Sequence, residues 1–110
     1  MNRVRFHPAA RAELIHEVEF YTAISRKLGE RFDLSVKAAV NLAADFPRLG
    51  SPHFFETRRI FPKKFPFSVV YLEFNAEVFI VAIAPDSRKP GYWQSRLRWR
   101  RKDERCALPS

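Results

Sequence analysis

The run Arg58-Arg59-Ile60-Phe61-Pro62-Lys63-Lys64-Phe65-Pro66-Phe67-Ser68-Val69-Val70-Tyr71-Leu72-Glu73-Phe74, a break at Asn75-Ala76, and then Val78-Phe79-Ile80-Val81-Ala82-Ile83-Ala84 decide the fold. Two short apolar runs rich in β-branched and aromatic residues, joined by a turn pair, read as a hairpin whose strands are covered on both faces. The three strands of this region begin near Thr57. A basic segment with Arg58, Arg59, Lys63 and Lys64 leads in, and Pro85-Asp86-Ser87-Arg88-Lys89-Pro90-Gly91-Tyr92-Trp93 leads out.

Working outward, Val4-Arg5-Phe6 reads as a short first strand ended by Pro8, which suits the first turn of a helix because its missing N–H has no partner to lose there. Leu14, Val18, Tyr21, Ile24 and Leu28 recur at helical spacing and form one apolar stripe. Glu13, Glu17 and Glu19 crowd the first half of that helix and Arg26 and Lys27 close it, the order favoured by the helix dipole. Gly29 is the expected stop. A second helix from about Glu30 to Phe46 carries Phe32, Val36, Ala39 (or Val40), Ala43 and Phe46 on one face, and Pro47 ends it. The short break implies an antiparallel helix pair, and the proline- and glycine-bearing residues 47–56 read as a loop. The expected fold is α+β: an N-terminal strand, an antiparallel helix hairpin, then three mainly antiparallel strands, with the helices on one face of the sheet. Residues 1–97 form one domain, and residues 98–110 a basic, flexible C-terminal tail.

At 110 residues with 46% hydrophobic and 15% aromatic content, the chain is long and apolar enough for one real core. Eleven phenylalanines suggest bulky packing and an apolar surface awaiting a partner. Of the formal net charge of +8, six units fall in residues 88–110, a field that attracts nucleic acid or an acidic protein. A solvated tail that keeps the chain in solution is the plain alternative. Cys106 is alone and fits a reducing compartment. Residues Met1–Pro8 lack an apolar run of signal-peptide length, and the longest apolar run, Val78–Ala84, is far too short to cross a bilayer. A cytoplasmic protein with no membrane partner is expected.

Familiar catalytic signatures are missing. His7, His16 and His53 lie far apart, and His16-Glu17 is followed by Phe20 where a zinc-protease helix needs its second histidine, so no metal site is expected. Three glycines cannot build a phosphate loop, the serines lack a nucleophile elbow, and Glu73 and Glu77 flank a turn where solvated charge is the default. No cofactor is expected. What remains is cationic and aromatic chemistry.

The Phe65-Pro66-Phe67 strand start, the Ala82-Ile83-Ala84 strand end and Arg88-Lys89-Pro90-Gly91-Tyr92-Trp93 together resemble the RelE/ParE superfamily of type II toxin–antitoxin toxins, over roughly residues 3–97. The resemblance implies a toxin neutralised by a cognate antitoxin. Two branches differ in target. The ribosome-dependent ribonuclease branch cuts mRNA with sheet-borne cations and a C-terminal tyrosine. Against that pattern Arg59 and Tyr92 match and Arg88 is a nearby cation, but Phe61 and Ser68 stand where cations belong. The ParE-like branch poisons DNA gyrase, and the chain is closer to it. The implied target-binding residues are Arg58, Arg59, Lys63, Lys64, Arg88, Tyr92 and Trp93, with Arg59, Arg88 and Tyr92 the catalytic candidates if the chain is a ribonuclease. The alternatives to a gyrase poison are a RelE-like mRNA endonuclease acting on the ribosome and an inactive homologue that only binds its antitoxin.

Overall fold

The computed structural model describes residues 2–98. Strand β1 (Arg3–Phe6) leads into helices α1 (Pro8–Ile24) and α2 (Arg26–Asp45), and then come β2 (Ser51–Pro52), a single 3₁₀ turn (Phe54–Glu56), β3 (Arg58–Ile60), β4 (Phe67–Phe74) and β5 (Glu77–Pro85). The sheet order is β1-β5-β4-β3-β2. Among the described strands only β1 runs parallel to its neighbour, β5, so the sheet is mainly antiparallel as the sequence implies. Apart from Arg98, the expected tail at 98–110, with Trp99 and Cys106, lies outside the described residues.

Helix α1 starts where expected, with Pro8 in its first turn and the His7 imidazole accepting from the Ala9 N–H at 2.9 Å. It does not stop at Gly29. Ser25 ends it, donating its N–H to the Tyr21 carbonyl, and in the same residue begins α2, its hydroxyl accepting from the Leu28 N–H. One extended residue thus reverses the chain, and Arg26 and Lys27 open α2 rather than closing α1. Gly29 instead sits where the helices cross: a Cβ there would lie 2.0 Å from Thr22 Oγ1 and 2.9 Å from Thr22 Cα. The α1 stripe holds for Leu14, Val18 and Tyr21 but fails at Ile24, which is 63% exposed. The α2 stripe holds from Phe32 to Ala43, while Phe46 caps the helix and is exposed.

Within the expected 47–56 loop, Ser51 and Pro52 pair with Arg59 and Arg58 and so add a two-residue edge strand, a sheet position that tolerates proline's missing donor. Tyr71 fastens the stretch before it, donating to the Pro47 carbonyl at 2.7 Å and accepting from the Gly50 N–H at 3.0 Å. The β4–β5 hairpin turns at Asn75 and Ala76, both with positive φ (50° and 60°), the geometry of a tight two-residue hairpin loop.

Register in that hairpin steps by one between Val70, opposite Ala82, and Tyr71, opposite Ile80. Val81 is the extra residue of a β-bulge, and it shares a face with Ala82. The sheet therefore has two packed faces. Toward the helices, Val69, Tyr71, Val78, Ile80 and Ile83 meet Leu14, Phe32, Val36 and Ala43. Near them Tyr21, Phe32, Phe65 and Phe67 form an aromatic cluster with several centroid separations near 5 Å (4.9 Å for Tyr21–Phe32, 5.1 Å for Phe32–Phe67). On the opposite face Val70, Phe79, Val81 and Ala82 are covered by Trp93, Tyr92 and Leu97, from the turns that follow β5.

Candidate functional site

The turns after β5 are held by one carboxylate. Strand β1 ends at Phe6, opposite Ile80, so farther along β5 the backbone on that side has no strand partner. Side chains replace it. Glu13 Oε1 accepts from the Ile83 N–H at 3.0 Å and from Arg96 Nη1 at 2.8 Å. Its Oε2 accepts from the Tyr92 hydroxyl at 2.6 Å and from Arg96 Nη2 at 2.9 Å. Arg96 Nη1 also donates to the carbonyl of bulge residue Val81 at 3.1 Å. This fork-to-fork pair ties α1, β5 and the C-terminal turns into one unit. Burial, reinforced by the hydrogen bond to Glu13 and its charge, pushes the Tyr92 hydroxyl far above its ordinary value of 10.0.

Beside this node lies a cleft of about 190 Å³ between β3 and the 85–92 turn, with Arg59, Phe61, Ser68, Arg88 and Tyr92 in its walls. The pairing Arg59↔Val70 puts Arg59 on the face away from the helices. Its guanidinium lies over the Phe61 ring at 4.9 Å, and Arg88 lies over the Tyr92 ring at 3.7 Å, both within cation–π range. Arg59 Nε is buried and has no hydrogen-bond partner among the described residues. Burial, with the Arg59 charge adding to it, holds the neighbouring His53 imidazole below its ordinary 6.5.

The sequence-predicted residues fall into three groups. Arg59, Arg88, Tyr92 and Trp93 come together around the cleft, with Trp93 as its packed back wall, 1% exposed and set edge-on to Phe55. Arg58 sits opposite Tyr71 and spends its guanidinium on the Gly50 and Arg48 carbonyls, at 2.8 and 3.3 Å, so it holds a loop. Lys63 and Lys64 lie elsewhere, on the rim of a groove of about 700 Å³ between α2 and the β3–β4 connection. That groove has an apolar floor, including Leu34, Leu42, Ile60 and Phe65, and Arg31 joins the lysines around it. Leu34 and Leu42 are exposed there, as is Phe61, whose ring also carries the Arg59 guanidinium.

Sequence reasoning missed Glu13, Arg96 and His53. Glu13 reads as one of several acids suited to the start of a helix, and nothing local links it to a tyrosine and an arginine some eighty positions away. Phe61, which looks like a missing cation, is the ring on which Arg59 rests.

Chemically, the cleft offers cations and aromatic faces. Its tyrosine proton is already donated to Glu13, so Tyr92 is poorly placed to protonate a leaving group. Among the described residues no cluster of three or more His, Cys, Asp or Glu side chains could hold a metal ion, and no helix is long and apolar enough to cross a membrane.

A strand, a helix hairpin and an antiparallel sheet that carries a cation-lined cleft define the small α+β class of RelE/ParE-like toxins. The model of one family in that class, the ParE toxin of the type II toxin–antitoxin system parDE, matches residues 4–90, and the chain belongs to that family. Among solved structures, the chromosomal ParDE TA system from P. aeruginosa is similar in fold, with a TM-score of 0.66 at 18% identity, over 77% of this chain and 96% of that one. No match is found among curated proteins.

Proposed function

We propose that the chain is the toxin of a type II toxin–antitoxin pair, acting in the cytoplasm on DNA gyrase and neutralised by an acidic cognate antitoxin. The family match over residues 4–90 carries this reading. The α2 groove supports the antitoxin half of it. An apolar floor with Arg31, Lys63 and Lys64 around it suits a segment that carries apolar side chains flanked by carboxylates and orders on binding. Gyrase is favoured over mRNA by Phe61 and Ser68 at two positions where phosphate-binding cations are needed, and by the engaged Tyr92 hydroxyl. Loss of one such donor costs about 10²–10³-fold in rate.

The second reading, a ribosome-dependent mRNA endonuclease, draws on the meeting of Arg59, Arg88 and Tyr92 in one cleft. Induced expression separates the two. Growth arrest with SOS induction and gyrase-linked DNA breaks, relieved by co-expression of the adjacent small acidic protein, is the expected result, and Arg88→Ala should abolish it while antitoxin binding persists. Codon-phased mRNA cuts lost in Arg59→Ala would establish the nuclease instead. Absence of both effects, with antitoxin binding retained, would mark an inactive homologue.

A further inference from the structure

We infer that the turn Phe54–Glu56 is a docking knob for a folded protein, which receives the Phe54 and Phe55 rings in an apolar socket edged with carboxylates. The inference rests on the toxin reading above and adds to it the surface by which the target is met. That surface lies on the side of the sheet covered by Trp93, away from the α2 groove.

The backbone of the turn is the first sign. Phe55 and Glu56 are consecutive residues with positive φ, 60° and 64°, a left-handed conformation that suits glycine and strains any residue with a Cβ. Two glycines would make the same reversal with less strain, so the turn alone does not explain why Phe and Glu stand there. Burial does not explain it either, because Phe54 and Phe55 are 55% and 46% exposed. The strained shape is nevertheless held firmly. Buried Thr57 donates both its hydroxyl and its N–H to the Phe54 carbonyl, at 2.6 and 3.3 Å. The His53 N–H donates to the Thr57 carbonyl at 2.8 Å. The Phe55 ring stands on Gly91, where a Cβ would come within 3.3 Å of it. A strained segment kept rigid by its surroundings while it presents apolar rings to water is the pattern of a contact surface rather than of a packing element.

Shape and charge select the partner. The knob stands between two hollows, one of about 650 Å³ reaching Leu97 and Arg98, the other of about 360 Å³ reaching Arg59 and Pro90. It therefore fits a folded surface that closes on it from both sides. Aromatic anchors seated in pockets supply much of the affinity of protein interfaces. Around the hollows and the adjoining cleft stand Arg59, Arg88, Lys89 and Arg98 against Glu56 and Asp86, an excess of positive charge that complements an acidic rim. Glu56, exposed in the turn itself, is ill suited to lie beside a phosphate backbone.

The test compares how purified full-length variants inhibit DNA supercoiling by gyrase. Phe54→Ala removes the more exposed ring and should raise the half-inhibitory concentration at least about tenfold, with the melting temperature and binding to the adjacent acidic protein unchanged. Phe20→Ala removes an equally exposed phenylalanine (54%) from α1 and should change it less than about twofold. Lys89→Glu should weaken inhibition, more at low salt than at high. The inference is overturned if Phe54→Ala inhibits as wild type, if Phe20→Ala loses as much, or if Lys89→Glu loses nothing. It is also overturned if Phe54→Ala weakens binding of the assay's DNA to the toxin alone by the same factor, read by anisotropy, since the knob would then be a nucleic-acid contact. A wild-type chain that leaves gyrase uninhibited refutes the choice of target, and the inference falls with it, so the wild type and the variant separate the two failures.

Discussion

Replacing Glu13 with alanine removes the acceptor of four hydrogen bonds at once: those from the Ile83 N–H, the Tyr92 hydroxyl and both terminal nitrogens of Arg96. The two charged side chains are only 18% and 15% exposed, so the stranded guanidinium cannot simply rehydrate in place. Breaking a buried pair by deleting one partner costs about 3–5 kcal/mol. Residual solvent access puts this site near the lower end, about 3 kcal/mol, with the tyrosine and amide donors adding a smaller part. Against a typical total of about 5–15 kcal/mol that loss is large, and it should lower the melting temperature by roughly 15 °C, at about 4–8 °C per kcal/mol for domains slightly smaller than this one. Urea and thermal unfolding followed by circular dichroism measure it. A double-mutant cycle makes the reasoning specific. In Glu13→Ala/Arg96→Met no charge is left stranded, so the pair should cost about 1–3 kcal/mol less than the sum of the single changes. A Glu13→Ala loss below about 1 kcal/mol, or additivity within about 0.5 kcal/mol, would refute the assignment of Glu13 as the fastening of the C-terminal turns.

Gly29→Ala forces a methyl group against the Thr22 backbone, and the overpacked crossing should cost about 1–3 kcal/mol in urea unfolding. Ala76→Gly removes a side chain from a left-handed position and should stabilise the hairpin by about 1 kcal/mol. His7 and His53 are both held below 6.5 in the folded protein, chiefly by burial. The unfolded chain therefore binds protons first as pH drops, and stability present above pH 6.5 should decline as pH falls through the depressed folded values, a slope that His7→Asn and His53→Asn together should flatten. Tyr92 has the opposite sign: its raised value means stability is intact below pH 10.0 and lost above it, so Tyr92→Phe should lessen the alkaline loss seen by circular dichroism.

The hairpin of β4 and β5, its turn at Asn75-Ala76 and the buried face of α2 were legible in the sequence, because each rests on a local period or a turn residue. The helix break was misplaced by four residues for a physical reason. Glycine marks either a stop or a close approach, and only the position of Thr22 in space shows that Gly29 serves the second. Ser25, able to end one helix and cap the next, was the better signal. Strand β2 has two residues and so no period to read. Of the cleft, Arg88 was legible as a cation in a turn, whereas Arg59 and Tyr92 were legible only through the family resemblance, and the register of β3 on β4 sets Arg59 on the face that Tyr92 covers. Arg58, expected as a target contact, is clamped to loop carbonyls instead, because alternation along a strand assigns faces only once the covering layers are known. Glu13 was invisible, its partners being joined to it by tertiary geometry alone.

The pairing of Arg3 with Glu77 and the bond from Arg96 to Glu13 set a timetable for synthesis. The first strand has to wait for β5 before it can find its place, and that bond spans 83 positions of sequence. Contacts this remote are slow to form, since the intervening chain must be closed before they yield any stability. The two helices, local in sequence, can collapse while the chain is still emerging from the ribosome. The second face of the sheet stays bare until Trp93 and Leu97 are free to fold back, so the cleft is among the last features to be assembled. A newly made chain thus leaves one apolar face of its sheet uncovered for most of its translation.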